Sequence, residues 1–238
     1  MMRTAGFFLI LFITHILQAL AGFGGTMLAM PPSILLVGAD TAKAVLNMAA
    51  WALSLMIVGK EYRHINWKEL IRVSAGMMIG MWIGMRIYEQ FPLDVLLKVY
   101  GALILVIAVK NLFFQAEEEW QLPKPVLLMI LLAAGIIHGM FVSGGALLVV
   151  YMSSITREKG EFRATVSAVW VVLDTVLMVT QIRSGLFTGE NVRLMLWAMI
   201  PLAVSVLLGG WLHQRINQKL FSKLTYVLLI VSGGIALF

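Results

Sequence analysis

Two short apolar runs, each behind a glycine cluster, limit this chain more than any other feature. Residues 26–37 follow Gly22-Phe23-Gly24-Gly25, and residues 145–155 follow Ser143-Gly144-Gly145. At about 1.5 Å rise per residue the first run reaches roughly 18 Å, well short of a hydrocarbon core about 30 Å thick. The remaining apolar runs, 5–21, 42–59, 70–88, 94–114, 125–141, 163–182, 191–212 and 219–238, are of crossing length and are separated by charged or Gly/Pro punctuation. Since a lipid-spanning backbone must satisfy its own polar groups, the pattern predicts an all-α polytopic membrane protein of about ten helical segments, two of them short or re-entrant.

Composition agrees and excludes much else. The chain is 61% hydrophobic and only 13% charged, where a soluble domain carries about a quarter of its residues charged. No stretch is left for a soluble domain, and disordered or fibrous readings fail. Cysteine is absent, which removes disulfides, thiolate metal sites and thiol nucleophiles. The net charge of +6 is carried by basic residues scattered singly through short loops, so nucleic acid is not an expected partner. Arg3, the run Phe7 to Ile13 and Ala19-Leu20-Ala21 imitate a signal peptide, but His15 and Gln18 are foreign to such a segment. No Ser/His/Asp order, HExxH or phosphate loop is present, and Ser143 with His138 is not a recognised nucleophile–base spacing. Neither an enzyme nor a cofactor is expected.

A shift of 120 residues superposes Gly24-Gly25 on Gly144-Gly145, Leu28 on Leu148, Lys43 on Arg163 and Ala44 on Ala164. Each half then runs long helix, glycine break, short helix, basic loop and three further helices. The expected organisation is a first repeat over 1–114, a cytoplasmic linker over 115–124 and a second repeat over 125–238. Interrupted segments at corresponding positions in two halves point to a transporter binding site. If each long-plus-short pair were one crossing, the 18 Lys and Arg residues would divide evenly between the two faces. If each half has five segments, the repeats are inverted, and only Arg3, Lys43, Arg86, Lys98, Arg183 and Arg193 share one face against twelve on the other. The uneven division satisfies the positive-inside rule. The expectation is therefore an inverted five-plus-five fold in a bacterial inner membrane, with both termini outside the cytoplasm.

The breaks supply the candidate site. Amide groups at the start of a short helix, with the positive end of its dipole, bind an anion without a basic side chain. Gly22, Gly24, Gly25 and Thr26 on one side, and Ser143, Gly144 and Gly145 on the other, are the candidate substrate residues; close glycine packing of helices is the competing reading. His138 and its counterpart Gln18 lie in the helices leading into the breaks. His138 can donate to an anion or take a proton, or bond a backbone carbonyl as a structural histidine. Asp174 is the carboxylate expected deep in the bilayer, as a proton carrier or as the partner of a helix dipole or of His138. Asn47 and Ser167 are expected to line the cavity, Lys43 and Arg163 to mark its mouths or reach headgroups, and Trp51 and Trp170 to wall it or simply pack.

These residues resemble the sulfite exporter TauE/SafE family, also called the 4-toluene sulfonate uptake permease family. The resemblance rests on Gly22-Phe23-Gly24-Gly25 with Pro31 six residues on, the loop Lys60 to Trp67, Gly139-Met-Phe-Val-Ser-Gly-Gly145, and Lys159-Gly-Glu-Phe-Arg-Ala-Thr165. It implies a secondary transporter of sulfur-containing anions such as sulfite, sulfonates or sulfoacetate, with the break segments lining the path. Pro31-Pro32 faces Tyr151-Met152 in the second half, so the two sides of such a site are expected to be unequal. The expected partners are a small anion and the lipid bilayer, with a homo-oligomer left open. A membrane scaffold is the alternative from another class. A cation carrier is disfavoured by the single deep carboxylate, since hard cations want several oxygen ligands.

Overall fold

The computed structural model describes residues 2–113, 123–156, 158–213, 215 and 218–237. The expected linker, apart from Pro123 and Lys124, lies outside them. Each apolar run is one helix: α1 (Met2–Ala21), α2 (Gly25–Val37), α3 (Ala39–Glu61), α4 (Trp67–Gln90), α5 (Leu93–Phe113), α6 (Lys124–Phe141), α7 (Gly145–Ser153), α8 (Lys159–Arg183), α9 (Gly189–His213) and α10 (Gln218–Leu237). No strand occurs among the described residues. Six of these helices, α1, α3, α4, α6, α8 and α9, are long and apolar enough to cross a membrane.

Contacts between helices give their directions. A Cβ on Gly6 would lie 3.5 Å from Leu36, so the end of α2 returns beside the start of α1. The pair is a hairpin and not one interrupted rod. Asn47 of α3 meets Gln181 of α8, and Trp51 meets Thr175; as one number rises the other falls, so these helices run antiparallel. Ser205 bonds the Phe12 carbonyl while Gly209 faces Ile16 and Leu20, so α1 and α9 are parallel. By the same reasoning α4 and α6 are parallel, Gly76 meeting Leu131 and Gly84 meeting Ile136. Gly101 beside Ala236, with Leu105 beside Gly233, sets α5 and α10 antiparallel. All five relations hold if each of the ten segments reverses the one before it. The start of α1 and the end of α10 then lie on one face, called here the terminal face.

Small residues make the tightest seam. Glycines spaced by four in α4 (76, 80, 84) and α6 (135, 139) bring the two backbones into contact, a close approach that small residues permit in membranes.

The short helices are held by polar contacts that follow from their sequences. Pro31 and Pro32 lack the N–H groups that would bond the Met27 and Leu28 carbonyls four residues earlier. Both orphans find hydroxyls: Ser232 of α10 lies 3.0 Å from the Leu28 oxygen and Tyr100 of α5 lies 3.4 Å from the Met27 oxygen. The end of α7 is tied differently, its Tyr151 hydroxyl donating to buried Glu69 at 2.9 Å while Glu69 pairs with Arg72 at 2.6 Å. Ser232→Ala should lower stability by about 0.6 kcal/mol, and by no more than ~1.7, the span found for hydrogen bonds between membrane helices. Unfolding in a denaturing-detergent titration measures this; an unchanged midpoint would show that the Leu28 carbonyl does not depend on Ser232.

Candidate functional site

Both long helices end alike. The Gly22 amide donates to the Gln18 carbonyl at 2.7 Å, and the Val142 amide donates to the His138 carbonyl at 2.7 Å, with Gly22 at φ 83° and Val142 at φ 54°. Left-handed backbone suits glycine, and a β-branched residue there costs on the order of 1–3 kcal/mol. Two residues on, the Gly24 and Gly144 carbonyls accept from the Leu28 and Leu148 amides and start the short helices. The preceding amides of each short helix have no acceptor within it.

These two helix starts face each other. A Cβ on Gly145 would lie 3.6 Å from the Gly24 nitrogen and 3.7 Å from the Trp170 ring. Between them is a small buried cavity with a free volume of about 10 Å³, room for roughly one water. Gln18, Gly24, Thr26 and Met27 line it from α1 and α2, and Ala50 from α3. His138, Val142 and Gly145 complete it from α6 and α7, and Trp170 and Asp174 from α8. The helix starts give the cavity a positive backbone field. Its ionisable side chains are His138 and Asp174, whose Nε2 and Oδ1 are 3.1 Å apart, both groups being buried. The pair is ionic when the imidazole carries a second proton. His138 also stacks on Trp170, ring centroids 5.1 Å apart, and Trp170 donates to the Gly22 carbonyl at 3.0 Å. Gln18 Oε1 and His138 Nδ1 are buried without a hydrogen-bond partner.

Of the substrate and coupling residues expected from the sequence, Gly24, Thr26, His138, Gly145 and Asp174 meet in this lining. The others sit around it. Gly22 offers its carbonyl to Trp170, and Gly25 packs on Gln18, where a Cβ would approach Oε1 to 2.3 Å. Asn47 donates to the Asp174 carbonyl and to Gln181, so it fixes α8 against α3. Ser143 spends its hydroxyl on the Phe141 carbonyl at 2.7 Å. Gly144 abuts the Ala134 carbonyl, and Ser167 is buried with its hydroxyl unpartnered. Trp51 bonds Thr175 away from the cavity. His15 closes onto its own helix through the Leu11 carbonyl at 2.8 Å.

Met27, Ala50 and Val142 were not anticipated. The 120-residue shift held a signal for two of them, since it pairs Val142 with Gly22 and Ala50 with Trp170. Both Ala50 and Trp170 line the cavity, from corresponding places on α3 and α8. Lys43 and Arg163 do not reach out to headgroups as one reading expected; both are buried. The Lys43 ammonium lies 3.3 Å from the Tyr88 ring centroid. Arg163 pairs with Glu61 and donates to the Ala19 carbonyl at 2.6 Å in the last turn of α1, a favourable place for a cation.

The family model described as sulfite exporter TauE/SafE matches residues 7–235 of this chain. The chain belongs to that family. A curated relative, the probable inner membrane transporter protein TsaS of Comamonas testosteroni, is 24% identical over 185 residues, covering 76% of each chain. No solved structure matches. As a TauE/SafE protein with six helices of crossing character, this is a multi-pass membrane transporter and not an enzyme.

Proposed function

We propose that the protein is a secondary transporter of small sulfur-containing anions such as sulfite or sulfonates, working by alternating access between two inverted halves. One observation carries this reading: two short-helix N-termini converge on a cavity where Gln18 and His138 keep buried polar atoms without partners. Buried polar groups are nearly always satisfied, and both residues line the cavity, so the partner they await is whatever occupies it. The family description adds the sulfur oxyanion. A free volume near 10 Å³ is too small for any such anion, so binding requires the surrounding helices to part.

The helix directions support the halves as 1–114 and 125–238 joined by 115–124. Counterpart helices α3 and α8 are antiparallel, as are α5 and α10, and the parallel pairs α1–α9 and α4–α6 exchange under the same operation. Arg3, Lys43, Arg86, Lys98, Arg183 and Arg193 fall on the terminal face and the other basic residues among those described on the opposite one. By the positive-inside rule the termini are extracytoplasmic. Besides Gly24, Thr26, His138 and Gly145, the proposed site takes in Gly22, Gly25, Asn47, Ser143, Gly144 and Ser167 as its surrounding support. His138 and Asp174 form the proton-coupling pair.

Flux of labelled sulfite and methanesulfonate into proteoliposomes tests the assignment, and no flux for any sulfur anion would reject it. Asp174→Asn cannot take up or release a proton at position 174. Flux through that variant is expected to lose its response to an imposed pH gradient, and an unchanged pH profile would remove Asp174 from coupling.

A further inference from the structure

We infer that Lys43 and Arg163 are the two gate cations of the transporter, each closing the cavity toward one face through a contact that must break when that face opens. The inference rests on the transport reading above, but its test needs no transported anion.

The placement follows from helix geometry. Lys43 stands seven residues before Ala50 on α3, and Arg163 seven residues before Trp170 on α8. Seven residues are two turns, so each cation shares a helix face with a cavity-lining residue and lies about 10 Å from it along the axis. Because α3 and α8 are antiparallel, these displacements point to opposite faces. Lys43 lies toward the terminal face, and Arg163 and Glu61 lie toward the other. Eighteen residues separate Lys43 from Glu61 on α3, about 27 Å of helix, so the two contacts bracket the cavity across most of a hydrocarbon core.

The Arg163 contact ties the two halves directly, and the Lys43 contact ties α3 to the α4–α6 pair. On one side Arg163 of the second half grips Glu61 and the Ala19 carbonyl of the first. The Gly22 break lies against the Arg163 backbone, where a Cβ would come within 3.2 Å of its carbonyl. On the other side Lys43 of α3 sits on Tyr88 of α4, both in the first half and with the Asp40 and Glu89 carboxylates near; the Tyr88 ring meets Phe141, the last residue of α6 before the second break, edge-on at 5.9 Å. Both residues are 8% exposed. A buried cation is retained only with a partner, and an arriving oxyanion is a substitute partner of the right charge. Each cation thus serves as the anion's first contact on its face, released from Glu61 or Tyr88 as the gate opens.

The chain contains no cysteine, so a single Thr26→Cys in the cavity reports access to it. The probe is an impermeant sulfonated thiol reagent, 2-sulfonatoethyl methanethiosulfonate, applied to right-side-out and inside-out vesicles. Adding Glu61→Gln should speed labelling about tenfold from one face only, room that a minor open population of 0.1–10% allows. Tyr88→Leu should do the same from the other face only. Arg163→Gln provides a second route to the first result should Glu61→Gln yield too little protein. Gates as described are overturned if, in monodisperse protein, the Glu61 and Tyr88 variants open the same face, open both faces equally, or leave both labelling rates unchanged. Those results would leave anion flux in the parent protein intact, whereas failure of the transport reading would appear as absent flux.

Discussion

Gly144→Leu should reduce anion flux to background while the protein still inserts. The backbone at Gly144 is ordinary helix, φ −70°, so leucine meets no conformational barrier. The obstacle is space: a Cβ would lie 2.3 Å from the Ala134 carbonyl oxygen and 3.1 Å from the His138 Cβ. The start of α7 must move off α6, and the displacement passes directly to the imidazole that stacks on Trp170 and faces Asp174. Displacing a working group by about an ångström costs on the order of a hundredfold where function depends on placement. Gly24→Ala makes the contrast. Gly24 has φ 92° and nothing within 4 Å of its missing Cβ, so alanine brings only the left-handed backbone cost of roughly 1–2 kcal/mol. Lower yield and a smaller loss of flux than in Gly144→Leu are expected there, since Gly24 lines the cavity but displaces no neighbour. Flux normalised to inserted protein distinguishes the two, and wild-type flux through Gly144→Leu would show that the second break is not the site.

The contrast also shows what the sequence could and could not tell. Ten helices were legible because lipid enforces one rule, an apolar run of crossing length, and the two runs that break it stood out by length alone. The basic residues read as loop residues, yet most of those described lie within helices, Lys43 and Arg163 buried in α3 and α8, because each helix runs on past its apolar stretch. The breaks were legible as breaks, but not in their mechanics. Gly24-Gly25 and Gly144-Gly145 read as equivalent, yet the left-handed residues are Gly22, Gly24 and Val142, and Gly144 is small for the sake of a neighbour ten residues earlier. A glycine in a sequence does not say whether it is needed for its dihedral angles or for its missing side chain. Asn47 and Ser143 illustrate a second limit. Each is a polar residue at membrane depth, which marks it as a candidate, but whether its hydrogen bonds go to a ligand or to a backbone carbonyl is decided by helices 127 residues away for one and two residues away for the other. Trp170 could be wall or packing by type, and its stack on His138 made it wall.

Gly80→Leu should prevent recovery of folded protein altogether. The seam between α4 and α6 is a reciprocal backbone contact: a Cβ on Gly80 would lie 2.1 Å from the Leu132 oxygen, on Gly84 2.0 Å from the Ile136 oxygen, on Gly135 2.1 Å from the Met77 oxygen and on Gly139 2.2 Å from the Met81 oxygen. These are main-chain atoms and cannot turn aside. Lipid offers no hydrophobic drive to hold helices together once such packing is lost, and a bulky residue would part the seam along its length. Overpacking in a well-packed interior costs typically 1–3 kcal/mol and more where backbone must move. Here the consequence extends past stability, because α6 carries His138 and leads into the second break. Even Gly80→Ala would push the helices apart by about an ångström in an interior packed to crystal density, so it should fold at reduced stability with impaired flux. Ile79→Leu is the control, since Ile79 is 62% exposed toward lipid and should tolerate the exchange. Size-exclusion profiles of detergent-solubilised variants read the outcome. A monodisperse Gly80→Leu protein with normal flux would mean that the seam is not what holds the second long helix and its histidine in place.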